Sequence, residues 1–204
     1  MKLSCGPWYD RRTFELELPA YQKLGVLVSG GIDSTLLYYL LQKEKHDQNA
    51  THEIVPIVVH RKEGSKIYAR PAVQLINNLF NIKNQVYRLG VTTLPEPQQV
   101  ASACEQAYKI LGCDAVYVGV ISNRPEHTVG FDPVTIPDLE NFFAPLLSLE
   151  KSHILDLYYK FGIQFLLEST HSCDISEHTH CGKCNGCRER AWAFDQVKQQ
   201  DPRL

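Results

Sequence analysis

No stretch of this 204-residue sequence approaches the run of about 20 apolar residues that a helix needs to cross a bilayer. The opening residues, Met1-Lys2-Leu3-Ser4-Cys5-Gly6-Pro7-Trp8, carry no long apolar segment either, so the chain is expected in the cytoplasm, off the membrane. Strong charge of one sign is also missing. With 21 Lys and Arg against 23 Asp and Glu, the formal net charge of −2 gives no general attraction to nucleic acid, and no direct nucleic-acid contact is expected. Internal repeats and low-complexity tracts are absent. The patterns G-x-x-x-x-G-K-[ST] and G-x-G-x-x-G are absent as well, which removes P-loop kinases and dinucleotide folds. A hydrophobic content of 44% is enough for one sizeable core and a small appended module.

The first positive signal is Ser29-Gly30-Gly31-Ile32-Asp33-Ser34-Thr35. It follows the apolar run Val26-Leu27-Val28 and leads into Leu36, Leu37, Leu40 and Leu41 at helical spacing. Strand, loop and helix start is the order of a phosphate site. Adjacent glycines let consecutive N–H groups point at one anion, and the positive end of the following helix adds to the attraction. Asp33 and Ser34 are expected to cap that helix. Residues Val28, Ser29, Gly30, Gly31, Ile32, Asp33, Ser34 and Thr35 are therefore the candidate nucleotide contacts, against the plainer alternative of a glycine turn.

The second signal is Cys173, Cys181, Cys184 and Cys187, spaced C-x7-C-x2-C-x2-C. Four thiolates close a tetrahedral zinc shell and leave no open position for water, so a structural ion is expected. His171, His178 and His180 stand close enough in sequence to make a Cys3His site the alternative. Cys5, Cys104 and Cys113 show no ligand spacing, and Cys104 and Cys113 are expected to pack as small buried hydrophobes.

Between these signals the patterns alternate. Residues 13–18 alternate as a half-exposed strand, and strands are expected near 24–29, over 53–60 and over 115–121, with a short one at Val86 and Tyr87. Helices are expected near 34–45, around Val73, Ile76 and Phe80, around Val100, Cys104, Ala107 and Leu111, from Lys151 through Phe161, and along Ala191, Trp192 and Phe194. Arg61 to Lys66 reads as a polar loop. Repeated strand-helix order favours an α/β fold, a parallel twisted sheet with helices on both faces, with the ligand at the carboxyl ends of the strands. The expected organisation is an N-terminal extension over 1–23, a nucleotide-binding domain over 24–165, and a zinc-binding module with a terminal helix over 166–204. Residues 122–138, which include Asn123, Arg124, Glu126, His127 and Asp132, are long and polar enough for a substrate loop.

The loop at Ser29 resembles the PP-loop signature, S-G-G-x-D-S, of the ATP pyrophosphatases (adenine nucleotide alpha hydrolase-like). Together with Cys181-Gly182-Lys183-Cys184-Asn185-Gly186-Cys187-Arg188-Glu189-Arg190-Ala191-Trp192-Ala193-Phe194, it resembles the 7-cyano-7-deazaguanine synthase (QueC) family. The similarity runs through Gly112 to Val120 and through Ala144-Pro145-Leu146-Leu147-Ser148-Leu149-Glu150-Lys151. It implies a carbon–nitrogen ligase that adenylates 7-carboxy-7-deazaguanine and, with ammonia, forms the nitrile for 7-deazaguanine or queuosine biosynthesis. It implies ATP and Mg²⁺ at the loop, with Ser29, Asp33 and Lys151 as catalytic candidates, zinc at the four cysteines, and a homodimer. Lys151 is read as a positive contact to phosphate or substrate, or else as an exposed lysine starting a helix. The runners-up are another adenylating PP-loop enzyme, acting on a different carboxylate or thiolating tRNA, and a nucleotide-binding homologue without catalysis. Two segments depart from the family pattern: Val58-Val59-His60-Arg61-Lys62-Glu63 replaces F-D-Y-G-Q, and Leu94-Pro95-Glu96-Pro97 replaces P-x-R-N.

Overall fold

A computed structural model describes residues 1–59, 65–91, 94, 96–122 and 140–203, with backbone alone at 65, 66, 96 and 97. The expected substrate loop beyond Ser122, together with His60, Arg61, Lys62 and Pro95, lies outside the described residues.

The near-continuous apolar runs form a five-stranded, all-parallel sheet. Its strands are β3 (Lys23–Leu27), β4 (Glu53–Val59), β5 (Tyr87–Leu89), β6 (Ala115–Val118) and β7 (Phe142–Phe143), in the order β5-β4-β3-β6-β7. Successive side chains point to opposite faces. Leu24, Val26, Ile54, Val58, Ala115 and Tyr117 therefore join one core, while Leu27, Val55, Ile57, Val59 and Val116 join a second. Helix α3 (Glu96–Lys109) seals the second with Ala103, Cys104 and Ala107. On the other face pack α1 (Ile32–Asp47), α2 (Ser65–Leu79), α4 (Lys151–Lys160), a 3-10 helix (Gln164–Ser169) and α5 (Asn185–Gln196). Helix α1 is buried nearly all round, from Leu36 through Gln42, as its apolar sequence requires. Cys104 and Cys113 are buried as expected, and burial pushes their thiols up to about 12 and about 11.

Several local expectations change. The first helix is capped by Gly31 rather than by Asp33 or Ser34, and both of those lie in its first turn. There the Ser34 hydroxyl turns back to accept from the Ser29 N–H at 3.0 Å, so it organises the loop from inside the helix. Lys66, read as loop, belongs to α2; its polar neighbourhood carried no apolar period to reveal a helix. The strand of the N-terminal extension is shorter than the alternation suggested. It is β2 (Arg12–Glu15), paired antiparallel with β1 (Lys2–Cys5), which the sequence did not reveal. This hairpin docks on the start of α4: His153 Nδ1 accepts from the Glu150 N–H at 3.2 Å, so Nε2 is the donor to the Asp10 carbonyl at 2.9 Å. Burial lowers the His153 pKa, which keeps this neutral tautomer in place.

The chain closes with a buried fork. Arg190 on α5 is 1% exposed and grips Asp201 through Nε at 2.6 Å and Nη2 at 2.8 Å, while Nη1 donates to Thr170 Oγ1 at 2.9 Å. Asp201→Asn leaves the guanidinium buried without its anion. The expected loss is about 2 kcal/mol, read as a lower denaturant midpoint at unchanged slope. An unaltered midpoint shows that the pair is energetically idle.

Candidate active site and metal centre

The sheet order reverses between β3 and β6, and the crevice at the carboxyl ends of these strands is where an open α/β sheet binds its ligand. The Ser29–Thr35 loop stands at that point. Gly30 takes φ +83°, and a Cβ there would lie 2.6 Å from the Ala69 nitrogen of α2, so only glycine fits. Gly119, just beyond β6, packs as tightly: its Cβ would meet Ser34 N and Cα at 2.8 Å. The Ser29 and Ser34 hydroxyls lie 2.9 Å apart, and Ser29 Oγ accepts from the Gly31 N–H at 3.2 Å. Gly31 faces open space apart from Ser29 Oγ at 3.3 Å and the His171 carbonyl at 3.6 Å.

At the mouth of this loop Asp33, Lys151 and Glu189 meet. Lys151 Nζ lies 2.5 Å from Asp33 Oδ2 and 3.2 Å from Glu189 Oε2. The lysine side chain is only 8% exposed, which rules out the exposed-lysine reading. Burial pulls the Lys151 ammonium down, but the two carboxylates more than reverse this and hold its pKa above the ordinary value. Burial pushes the Asp33 carboxyl up, against the pull of Lys151. Two carboxylates thus surround one ammonium. The second Asp33 oxygen, Oδ1, is buried without a hydrogen-bond partner among the described residues, as is Thr35 Oγ1. An unpaired carboxylate oxygen beside an anion loop suits a hard divalent cation such as Mg²⁺, which takes oxygen ligands and retains phosphate oxygens and waters.

The four cysteines converge as their spacing required. All four Sγ atoms lie within 4.8 Å of one another, with Cys181 to Cys187 at 4.0 Å and Cys173 to Cys184 at 3.9 Å. A tetrahedron with metal–sulfur bonds of roughly 2.3 Å has edges of about 3.8 Å, so the donor set fits one metal ion. Backbone N–H groups point at the sulfurs: Ser176 to Cys173 at 3.2 Å, Cys184 to Cys181 at 3.3 Å, and Asp174 and Cys187 each to Cys184 at 3.4 Å. Those of Lys183 and Cys184 bring the Cys181 thiol down to about 6, while burial works the other way at Cys184 and Cys187. His171 and His180 are not part of this set. They stack on each other, ring centroids 5.0 Å apart, and His171 stacks on Tyr68 at 4.5 Å. The His171 N–H donates to the Gly30 carbonyl at 2.9 Å, so the segment leading into the cysteine centre also braces the glycine loop.

The structure brings together the four cysteines that the sequence singled out, and it places the proposed Lys151 against the Ser29–Thr35 loop. The sequence missed Glu189. No local signal marks it: it stands between Arg188 and Arg190, and only its tertiary contact with Lys151 sets it apart.

A parallel sheet that reverses at β3 and β6, with helices on both faces, defines an open α/β protein with its ligand crevice at the reversal, and the Ser-Gly-Gly-x-Asp-Ser loop that stands there is similar to the PP-loop signature. In sequence the chain is similar to the 7-cyano-7-deazaguanine synthases, the QueC family. The family model described as "Queuosine biosynthesis protein QueC" matches residues 128–198. A 7-cyano-7-deazaguanine synthase of Nitratiruptor is 26% identical over 88% of this chain and 96% of its own length. The 7-cyano-7-deazaguanine synthase 1 of Colwellia psychrerythraea is 30% identical over 54% of this chain and 56% of its own length. Among solved structures, the U34-tRNA thiolase NcsA from Methanococcus maripaludis, with its 4Fe-4S cluster, superposes with a TM-score of 0.49 at 15% identity, over 90% of this chain and 75% of that one.

Proposed function

We propose that this chain is an ATP-dependent carbon–nitrogen ligase that adenylates 7-carboxy-7-deazaguanine and, with ammonia, converts it to 7-cyano-7-deazaguanine. The observation that carries this reading is the buried Lys151 ammonium set against Asp33 at the glycine loop, in a chain related to these synthases along most of its length. A carboxylate is a poor electrophile and an amide oxygen a poor leaving group. ATP supplies the remedy at both stages, transferring AMP to that oxygen and releasing pyrophosphate.

The residues divide this work. The backbone from Val28 to Thr35, fixed by the Ser29–Ser34 hydroxyl pair, receives the phosphates and the leaving pyrophosphate. Asp33, through its Oδ1, unpaired among the described residues, would hold a magnesium ion accompanying them, which would supply charge neutralisation at the phosphates. Lys151 offers a charge that is already in place, so little reorganisation is required as negative charge builds on the leaving group. Cys173, Cys181, Cys184 and Cys187 hold zinc. The closeness of the four sulfurs supports a single ion over a polynuclear cluster, whose ligands spread around a core of several atoms.

The test supplies the purified protein with ATP, Mg²⁺, ammonia and 7-carboxy-7-deazaguanine. AMP, pyrophosphate and nitrile are expected together, each dependent on the carboxylate. AMP formation that requires some other carboxylate moves the chain to a different ligase, and ATP binding with no AMP from any carboxylate overturns the enzymatic reading.

A further inference from the structure

We infer that Glu189 is a positioning residue that tethers Lys151 while the lysine exchanges its Asp33 partner for phosphate; this rests on the function proposed above. Lysine is a compact charge on a flexible four-carbon stem, and a buried ammonium needs a fixed counter-charge to stay in one place. Lys151 has two, from different parts of the chain: Asp33 from the loop that receives the nucleotide, and Glu189 from α5. Asp33 is the partner that must yield. Its Oδ2 occupies the ammonium at 2.5 Å while Oδ1 has no partner among the described residues, so its carboxylate is placed to turn toward a cation arriving with the phosphates.

Glu189 has no such alternative duty. Its carboxylate is 12% exposed and 3.2 Å from Nζ, and its helix is pinned on both sides. Two residues before it is Cys187 of the metal set, and Cys184 caps the helix, its sulfur accepting from the Cys187 N–H. Immediately after it, Arg190 is locked to Asp201 and Thr170. The anchor for Lys151 is therefore built into a helix that is braced on both sides of Glu189. A tether of this kind acts on the placement of charge at the transition state and changes kcat more than KM.

The experiment is a double-mutant cycle on the full chain, using Glu189→Gln, which keeps the side-chain volume, Glu189→Ala, and Lys151→Met. With Lys151 present, either Glu189 change should lower kcat about 10- to 50-fold and move KM for ATP less than about threefold. In the Lys151→Met background the same changes should cost less than about twofold, because nothing remains to be positioned. Calorimetric binding of a non-hydrolysable ATP analogue with Mg²⁺ provides a readout that needs no turnover. Glu189→Gln should weaken it about two- to threefold when Lys151 is present and leave it unchanged in the Lys151→Met background. Costs of equal size in both backgrounds overturn the inference, since a packing role would not depend on the lysine. Absence of analogue binding by the wild-type chain overturns the functional reading, and the inference with it; wild-type turnover with an additive cycle overturns the inference alone.

Discussion

The Asp33→Asn variant is expected to fold normally and to lose turnover by about 100- to 1,000-fold, the scale of removing one preorganised electrostatic contact at a reacting centre. The substitution is nearly isosteric, so the tight packing of the loop against Ala69 and Gly119 is undisturbed. It also leaves Lys151 with Glu189, so no buried ammonium is stranded, and the stability change should stay below about 2 kcal/mol. What disappears is the second anion. Oδ1 no longer attracts a cation, and the ammonium is drawn wholly toward Glu189, away from the loop. In the proposed reaction this charge acts on the phosphates, so both activations of the substrate should slow, the one leading to amide and the one leading to nitrile. Thermal melting with AMP and pyrophosphate release checks the prediction. Turnover within threefold of wild type, from a folded protein, removes Asp33 from the machinery.

The parts of this site that the sequence reveals are those whose chemistry is local. Ser29 to Thr35 is a run of seven residues whose glycines, serines and following helix all serve one turn, so its meaning survives without tertiary context. The same holds for Cys181, Cys184 and Cys187, where each C-x2-C step brings two sulfurs to one side of a turn. The sheet was legible because β3, β4 and β6 are buried on both faces and read as unbroken apolar runs. Strand β7 has two residues and no period to detect, and the pairing of β1 with β2 depends on contacts rather than on pattern. Glu189 escaped for another reason. A glutamate on a helix between two arginines has the appearance of a solvated face, and only the arrival of Lys151, 38 positions earlier in the chain, gives it a partner. The N-cap of α1, Gly31, is hidden in the sequence because Asp33 and Ser34 are good capping residues in isolation. Here the loop needs Ser34 inside the helix, where it can reach back to Ser29.

Cys184→Ser separates the metal from every other role that residue has. Cys184 is the N-cap of α5, and serine is among the preferred residues at that position, accepting from the backbone just as the sulfur does from the Cys187 N–H. The helix start is therefore preserved while one thiolate of four is lost. A hydroxyl is a far poorer zinc ligand than a thiolate, and the remaining three sulfurs cannot close the tetrahedron. Metal content should fall from one zinc per chain to well below half after dialysis. Because the ion binds only the folded site, the loss is also a loss of stability, roughly 5 kcal/mol, a fraction of the roughly 10–16 kcal/mol that structural zinc can contribute. It should be smaller than the whole because Leu166, Leu167, Ala193 and Phe194 still bury their side chains in the core shared with α1. The damage should reach the glycine loop by two routes: through α5 to Glu189 and Lys151, and through His171, whose N–H holds the Gly30 carbonyl. Activity should therefore fall in protein that is still largely folded at low temperature, and added zinc should restore it only partly. Elemental analysis paired with denaturant melts decides the matter: full zinc content at wild-type stability in the Cys184→Ser variant would mean that the four sulfurs are not the ligand set, however well their distances suit one.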